Sequence, residues 1–220
     1  METYNLPKKP TVLVFDIDST LYTCPQYADE QIDCQVRHYA DLNGMTHDEC
    51  RALIADVRKK WAATHGGKKI SLGNVFVSLG VPIETSIEWR KTLFDPFDYL
   101  KKDERLIKTL SALRKSFYLI CVTNNPVAPA RKTLKAIGVS RFFPRIIGLD
   151  TCLASKPSHK ILAEALRAAS EDTGERIAYT DCVSIGDRFD IDIALALQLG
   201  MGGILVSGVE EVWELDKTLL

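Results

Sequence analysis

The chain has 220 residues, 46 % of them hydrophobic, with 28 lysines and arginines against 29 aspartates and glutamates, a formal net charge of −1. This length and composition can bury a full core in one large domain or two smaller ones. Without a long basic run, the chain is not a general binder of nucleic-acid polymers.

Taken in chain order, residues 1–10 carry Glu2, Lys8, Lys9 and two prolines and lack the apolar centre of a signal peptide. Residues 11–15 read as a buried strand that runs into Asp16-Ile17-Asp18. Side chains two apart on an extended segment share a face, so Asp16 and Asp18 can face one site at the strand's carboxyl end. Two like charges there are unfavourable unless a cation joins them, which points to a divalent metal and chemistry on an anion.

The next strand lies about 100 residues further on, far beyond an ordinary strand–helix connection. The insert reads as helical. Residues 30–42 form one expected helix. Thr46 with Glu49 makes a capping box before Leu53, Ile54, Val57 and Trp61, and Gly66-Gly67 stops that run. Leu72, Val75, Phe76 and Leu79 give a shorter helix closed by Gly80, and residues 85–94 another. Trp61, His65, Lys68 and Lys69 are candidates for substrate recognition, against the plainer reading of a packed ring and a solvated basic loop. Leaving the strand that bears the two aspartates, the insert is placed to be a lid.

Beyond it, short apolar runs at 117–122, 145–149, 182–185 and 203–206 lack the alternation of half-exposed strands and read as a parallel sheet buried on both faces. Helices are expected at 105–115 with Asp103 as N-cap, at 126–137 with Pro126 in the first position, at 158–169, and at 191–199 ending at Gly200. Strands alternating with helices make an α/β fold.

Ligands of open α/β sheets bind outside the carboxyl ends of the strands. The first strand delivers Asp16, Asp18 and Thr20 there. The second ends in Thr123-Asn124-Asn125-Pro126, a hydroxyl at a helix start, so Thr123 and Asn124 are candidates to hold a phosphate. The third leads through Asp150 to Lys156 before another helix, and the fourth ends Gly186-Asp187-Arg188-Phe189-Asp190-Ile191-Asp192. A carboxylate attacking a phosphate dianion meets about 4 kcal/mol of repulsion per charge pair at 4 Å and an effective dielectric of 20. Magnesium, Lys156 and Thr123 can offset it. Asp16 can then attack as nucleophile, with Asp18 protonating the leaving oxygen and later deprotonating water.

Phe15-Asp16-Ile17-Asp18-Ser19-Thr20-Leu21-Tyr22 resembles the first motif, Asp-x-Asp-x-Thr, of the haloacid dehalogenase-like phosphohydrolases. Thr123 matches the second motif, Lys156 in Ser-Lys-Pro the third, and Gly186-Asp187 with Asp192 the fourth. The first motif is similar to that of the pyrimidine 5′-nucleotidase-like branch, with Ser19 where that branch has asparagine and Arg188 where it often has serine. The resemblance implies a Rossmann-like parallel sheet with a helical cap inserted after the first strand: core 1–25 and 98–220, cap 26–97. It also implies Asp16 as nucleophile, Asp18 as acid and base, Lys156 as catalytic and phosphate-binding, and Mg2+ on Asp16, Asp187, Asp192 and the main-chain carbonyl of Asp18.

The expected activity is magnesium-dependent hydrolysis of a small phosphorylated substrate, with a nucleoside 5′-monophosphate as first choice. A sugar-phosphate phosphatase, a phosphomutase and a phosphate-binding regulator without turnover are the alternatives. Carbon–halogen displacement needs no proton donor at Asp18, which disfavours a dehalogenase. The six cysteines show no Cys-x-x-Cys pair, and histidines 38, 47, 65 and 159 show no metal spacing and are expected at the surface. Free thiols and the lack of a membrane-length apolar stretch make a cytoplasmic protein without a membrane partner the expectation.

Overall fold

The computed structural model describes residues 1–67 and 70–220; Lys68 and Lys69 lie outside the described residues. In chain order it contains β1 (Glu2–Tyr4), β2 (Val12–Phe15), α1 (Pro25–Leu42), α2 (His47–Thr64), α3 (Leu72–Ser78) and α4 (Ile83–Thr92). These are followed by α5 (Glu104–Leu113), β3 (Tyr118–Val122), α6 (Val127–Ala136), β4 (Ile146–Ile147), α7 (Leu149–Cys152) and α8 (His159–Thr173). The chain closes with β5 (Cys182–Gly186), α9 (Ala194–Gln198), β6 (Gly202–Leu205), α10 (Val209–Val212) and α11 (Leu215–Leu219). By internal contacts it divides into two compact units, Met1–Cys24 with Pro96–Leu220, and Pro25–Asp95.

The first unit is an α/β fold on a six-stranded sheet of order β1-β6-β5-β2-β3-β4. Every pairing is parallel except that of β1, which runs antiparallel to β6. Val12, Leu13, Val14 and Phe15 are all buried, because β2 is central and covered on both faces. Against Val12, Val14, Ile120 and Val122, α8 lays Ile161, Leu162, Ala165, Leu166 and Ala169, the i, i+1, i+4, i+5, i+8 stripe of an amphipathic helix. Phe15 meets Phe143 edge-to-face at 5.6 Å between ring centroids.

Strand β1 is absent from the expectations because it is three residues long and mostly exposed; only pairing with β6 makes it a strand. Pro126 stands at the N-cap of α6 rather than inside its first turn. The expected helix at 191–199 is instead a π-helical turn, Phe189–Ile193, followed by α9. Asp103 caps α5, accepting from the N–H groups of Arg105 and Leu106 at 2.9 Å.

The second unit is a helical cluster. Its core brings together Val36, Tyr39, Cys50, Ile54, Val75, Phe76 and Trp89. The Thr46–Glu49 capping box is formed, with Glu49 N–H donating to Thr46 Oγ1 at 3.2 Å and Thr46 N–H to Glu49 Oε2 at 2.7 Å. Trp61 is exposed at the far end of α2 and stacks on His65, ring centroids 3.6 Å apart.

Candidate active site

The sheet register sets the site. Phe15 is level with Cys121 on one side and Ile185 on the other, so the residues after β2, β3 and β5 leave the sheet side by side. The ladder extends by one bond on each flank: Asp16 N–H donates to Ile185 O at 2.8 Å, and Thr123 N–H to Ile147 O at 3.0 Å. This is also where the chain order reverses, β2 passing to β3 on one side while β5 and β6 lie on the other.

Lys156, 8 % exposed, donates from Nζ to Asp16 Oδ1 at 2.5 Å and to Asp192 Oδ1 at 2.6 Å. Asp16 and Asp192 are equally secluded, at 4 % and 5 %. The π-helical turn holds Asp192 there: its N–H donates to Arg188 O, its Oδ2 accepts from Arg188 N–H at 3.1 Å, and its carbonyl accepts from Ser184 Oγ at 2.7 Å. Asp190, two residues earlier, is exposed.

Asp187 completes the cluster. One oxygen each of Asp16, Asp187 and Asp192 lies within 4.8 Å of the others. Asp187 Oδ1 is buried without a hydrogen-bond partner among the described residues, the Arg188 Nε being 3.9 Å away. A buried carboxylate oxygen left unsatisfied is costly. Burial, and then Asp192, push the Asp187 carboxyl up. Burial also pushes Asp16 up to about 7, with Asp192 and Asp18 adding to it against the pull of Lys156. The Lys156 ammonium is held above its ordinary value, its two carboxylate partners outweighing burial. Three carboxylates against one ammonium leave a net negative, all-oxygen donor set that fits a hard divalent cation.

Asp18 turns its carboxylate elsewhere. Its Oδ1 accepts from Tyr22 Oη at 2.6 Å and its Oδ2 from Asn125 Nδ2 at 2.9 Å, with Thr123 Oγ1 at 3.5 Å. Thr123 is fully buried and its hydroxyl oxygen accepts from Asn125 N–H at 3.1 Å. The Asn124 side chain engages the main chain of Lys156, accepting from its N–H at 2.6 Å and donating to its carbonyl at 3.4 Å. The start of α6 is partly taken: Val127 N–H donates to Asp150 Oδ1 at 2.9 Å.

Asp16, Lys156, Asp187 and Asp192 are thus brought into one cluster, with Asp18 and Thr123 beside it. Tyr22, Asn125 and Ser184 are the contacts that sequence reading missed. Ser184 could have been suspected as the one hydroxyl in an apolar strand, whereas Asn125 pairs with a residue 107 positions away and leaves no local signal. Of the histidines, 47, 65 and 159 are exposed, while His38 is half-buried against Trp89.

A family model for haloacid dehalogenase-like hydrolases matches residues 10–200. The chain belongs to that family. No curated protein matches it. Among solved structures, it is similar to a haloacid dehalogenase-like phosphatase from Thermococcus onnurineus, with 22 % identity and a TM-score of 0.62 over 95 % of this chain and 97 % of that one. It is also similar to YfnB from Bacillus subtilis in a magnesium-bound crystal form, with 16 % identity and a TM-score of 0.59 over 94 % and 99 % of the two chains. A 2-haloacid dehalogenase from Pseudomonas syringae pv. Tomato DC3000 gives 17 % identity and 0.56 over 96 % and 98 %. At such identities the likeness is one of fold. Since phosphatase and dehalogenase share it, the side chains of the site must decide the chemistry within this hydrolase family.

Proposed function

We propose that this hydrolase is a magnesium-dependent phosphomonoesterase acting on a small phosphate ester, a nucleoside 5′-monophosphate first among them, through an aspartyl-phosphate. The observation that carries the reading is Asp18: a second carboxylate two residues beyond Asp16, outside the acidic cluster and held by its own donors. Displacing an alkoxide from phosphorus calls for a proton donor; displacing a halide from carbon does not.

In this reading an Asp16 oxygen attacks phosphorus. The bond from phosphorus to the ester oxygen breaks, and its electron pair leaves with that oxygen, which takes a proton from Asp18. Asp18, now a carboxylate, removes a proton from water as the water oxygen attacks phosphorus. The bond to Asp16 then breaks and its electron pair returns to the carboxylate. Lys156 holds Asp16 against rotation and offsets its charge as the dianion approaches. Thr123 offers a hydroxyl to the phosphoryl oxygens, and Asn124 keeps the Lys156 main chain in place. Asp16, Asp187 and Asp192, with the Asp18 carbonyl, are the groups that would hold magnesium, which when bound screens the negative charges brought together there. The helical unit serves as the cap that selects the ester.

The test is phosphate release from p-nitrophenyl phosphate and a panel of nucleotide and sugar phosphates with magnesium. Turnover is expected, abolished in Asp16→Asn. An unmutated protein that releases halide from 2-haloacids but no phosphate would overturn the reading. The nucleotide assignment falls if sugar phosphates are preferred by a wide margin in kcat/KM.

A further inference from the structure

We infer that Tyr22 and Asn125 are positioning residues that fix the plane of the Asp18 carboxylate, Tyr22 at Oδ1 and Asn125 at Oδ2, where Thr123 Oγ1 also lies at the longer distance of 3.5 Å; the inference rests on the proton-transfer role of Asp18 set out above. The terminal torsion of an aspartate is broad and weakly restrained by itself. At Asp18 it is restrained from two sides. Tyr22 Oη donates to Oδ1 at 2.6 Å and Asn125 Nδ2 to Oδ2 at 2.9 Å.

The backbone around both donors is built for these contacts. After β2 the chain reverses in a tight turn in which the N–H groups of Thr20 and Leu21 both donate to Ile17 O, at 3.3 and 2.9 Å. Ser19 sits in this turn at φ +59°. The reversal brings Tyr22 back to Asp18, the residue only 4 % exposed and its hydroxyl delivered to the carboxylate. Asn125 is fixed at three points besides its side-chain bond. Its N–H donates to Thr123 Oγ1 at 3.1 Å, its carbonyl accepts from Leu149 N–H at 3.0 Å, and Gly148 packs so close that a Cβ there would lie 2.6 Å from that carbonyl oxygen. Neither donor belongs to the acidic cluster or to the Lys156 bridge.

Proton transfer requires about 2.6–3.2 Å between heavy atoms, and an error of about 1 Å in a reacting group costs on the order of 100-fold. A carboxylate freed on one side still reaches the leaving oxygen, but less often in line. The penalty therefore falls on the step that needs the proton, in proportion to how badly the leaving group needs it.

The experiment compares kcat/KM for p-nitrophenyl phosphate, whose phenolate leaves readily unprotonated, with that for the best alkyl phosphate of the panel, in the unmutated protein, Tyr22→Phe and Asn125→Ala. The ratio kcat/KM reports events up to departure of the leaving group, so later water attack does not blur it. In each variant the alkyl-to-aryl ratio is expected to fall by about 10-fold or more, while inhibition by inorganic phosphate stays within about 2-fold. Tyr22→Phe removes a single oxygen and keeps the ring, so it carries the test should Asn125→Ala fold poorly. Equal losses on the two esters, or no loss, overturn the inference. Failure of the underlying reading looks different: the unmutated protein would then hydrolyse neither ester.

Discussion

Lys156 sets its ammonium 2.5 Å from Asp16 Oδ1, with both side chains at most 5 % exposed. Such a pair gains little over an apolar one, but removing one member strands the other. Lys156→Met leaves Asp16, Asp187 and Asp192 without the cation bridging two of them. In metal-free protein at pH 8 we expect a loss of about 3–5 kcal/mol in urea unfolding. The loss should be smaller at pH 6, where a carboxyl can take up a proton, and should be partly recovered by added Mg2+. Equal stability of the two proteins at pH 8 would contradict it.

The acidic cluster also depends on a residue without a side chain. A Cβ on Gly186 would stand 2.4–2.6 Å from Asp192 Cβ, Cγ and Oδ2. No φ strain is involved; the cost is pure overlap. Gly186→Ala should therefore displace Asp192 from Lys156, destabilise the protein by about 1–3 kcal/mol and weaken Mg2+ binding in calorimetric titration. A variant of native stability with unchanged Mg2+ affinity would show that the turn gives way freely.

Ser19 lies at φ +59°, in the left-handed region where L-residues with a Cβ pay a conformational penalty that asparagine and glycine pay least. Ser19→Asn is expected to stabilise by about 0.5–1 kcal/mol, read as a rise in Tm, whereas Ser19→Val should destabilise because a β-branched residue fits that region worst.

How much of this was legible beforehand follows from how far apart the partners sit in the chain. The buried strands declared themselves as unbroken apolar runs, since both faces of the sheet are covered, and the Thr46–Glu49 box is a four-residue signal that needs no tertiary context. Strand β1 has no such signature: Glu2 and Thr3 are exposed, and only the β6 edge orders them. In the candidate site, the order of acidic, hydroxyl and lysine residues along the chain was readable because each follows a strand. Their hydrogen bonds were not. Motif spacing favours Asp192 over Asp190, but it is the π-helical turn that buries the one and leaves the other exposed. Asn125 and Asn124 are neighbours of the same type, yet one reaches Asp18 and the other the main chain of Lys156.

Away from the site, Asp172 at the end of α8 gathers Tyr118 Oη at 2.7 Å and Arg145 through Nε and a terminal nitrogen, tying the helix to β3 and to the residue before β4. Arg145 first and then Tyr118 hold the Asp172 carboxyl below its ordinary value. A carboxyl depressed on folding lends stability that is present above its unfolded pKa and drains away as the pH falls through the folded one. Asp172→Asn should therefore cost on the order of 1 kcal/mol near pH 7. The gap to the unmutated protein should close as the pH is lowered below the ordinary carboxylate range, and should shrink in high salt because Arg145 is half-exposed. Urea midpoints of the two proteins between pH 7 and pH 3 check this. A gap of constant size across that range would mean that the pair contributes through packing and neutral hydrogen bonds, not through the charge on Asp172.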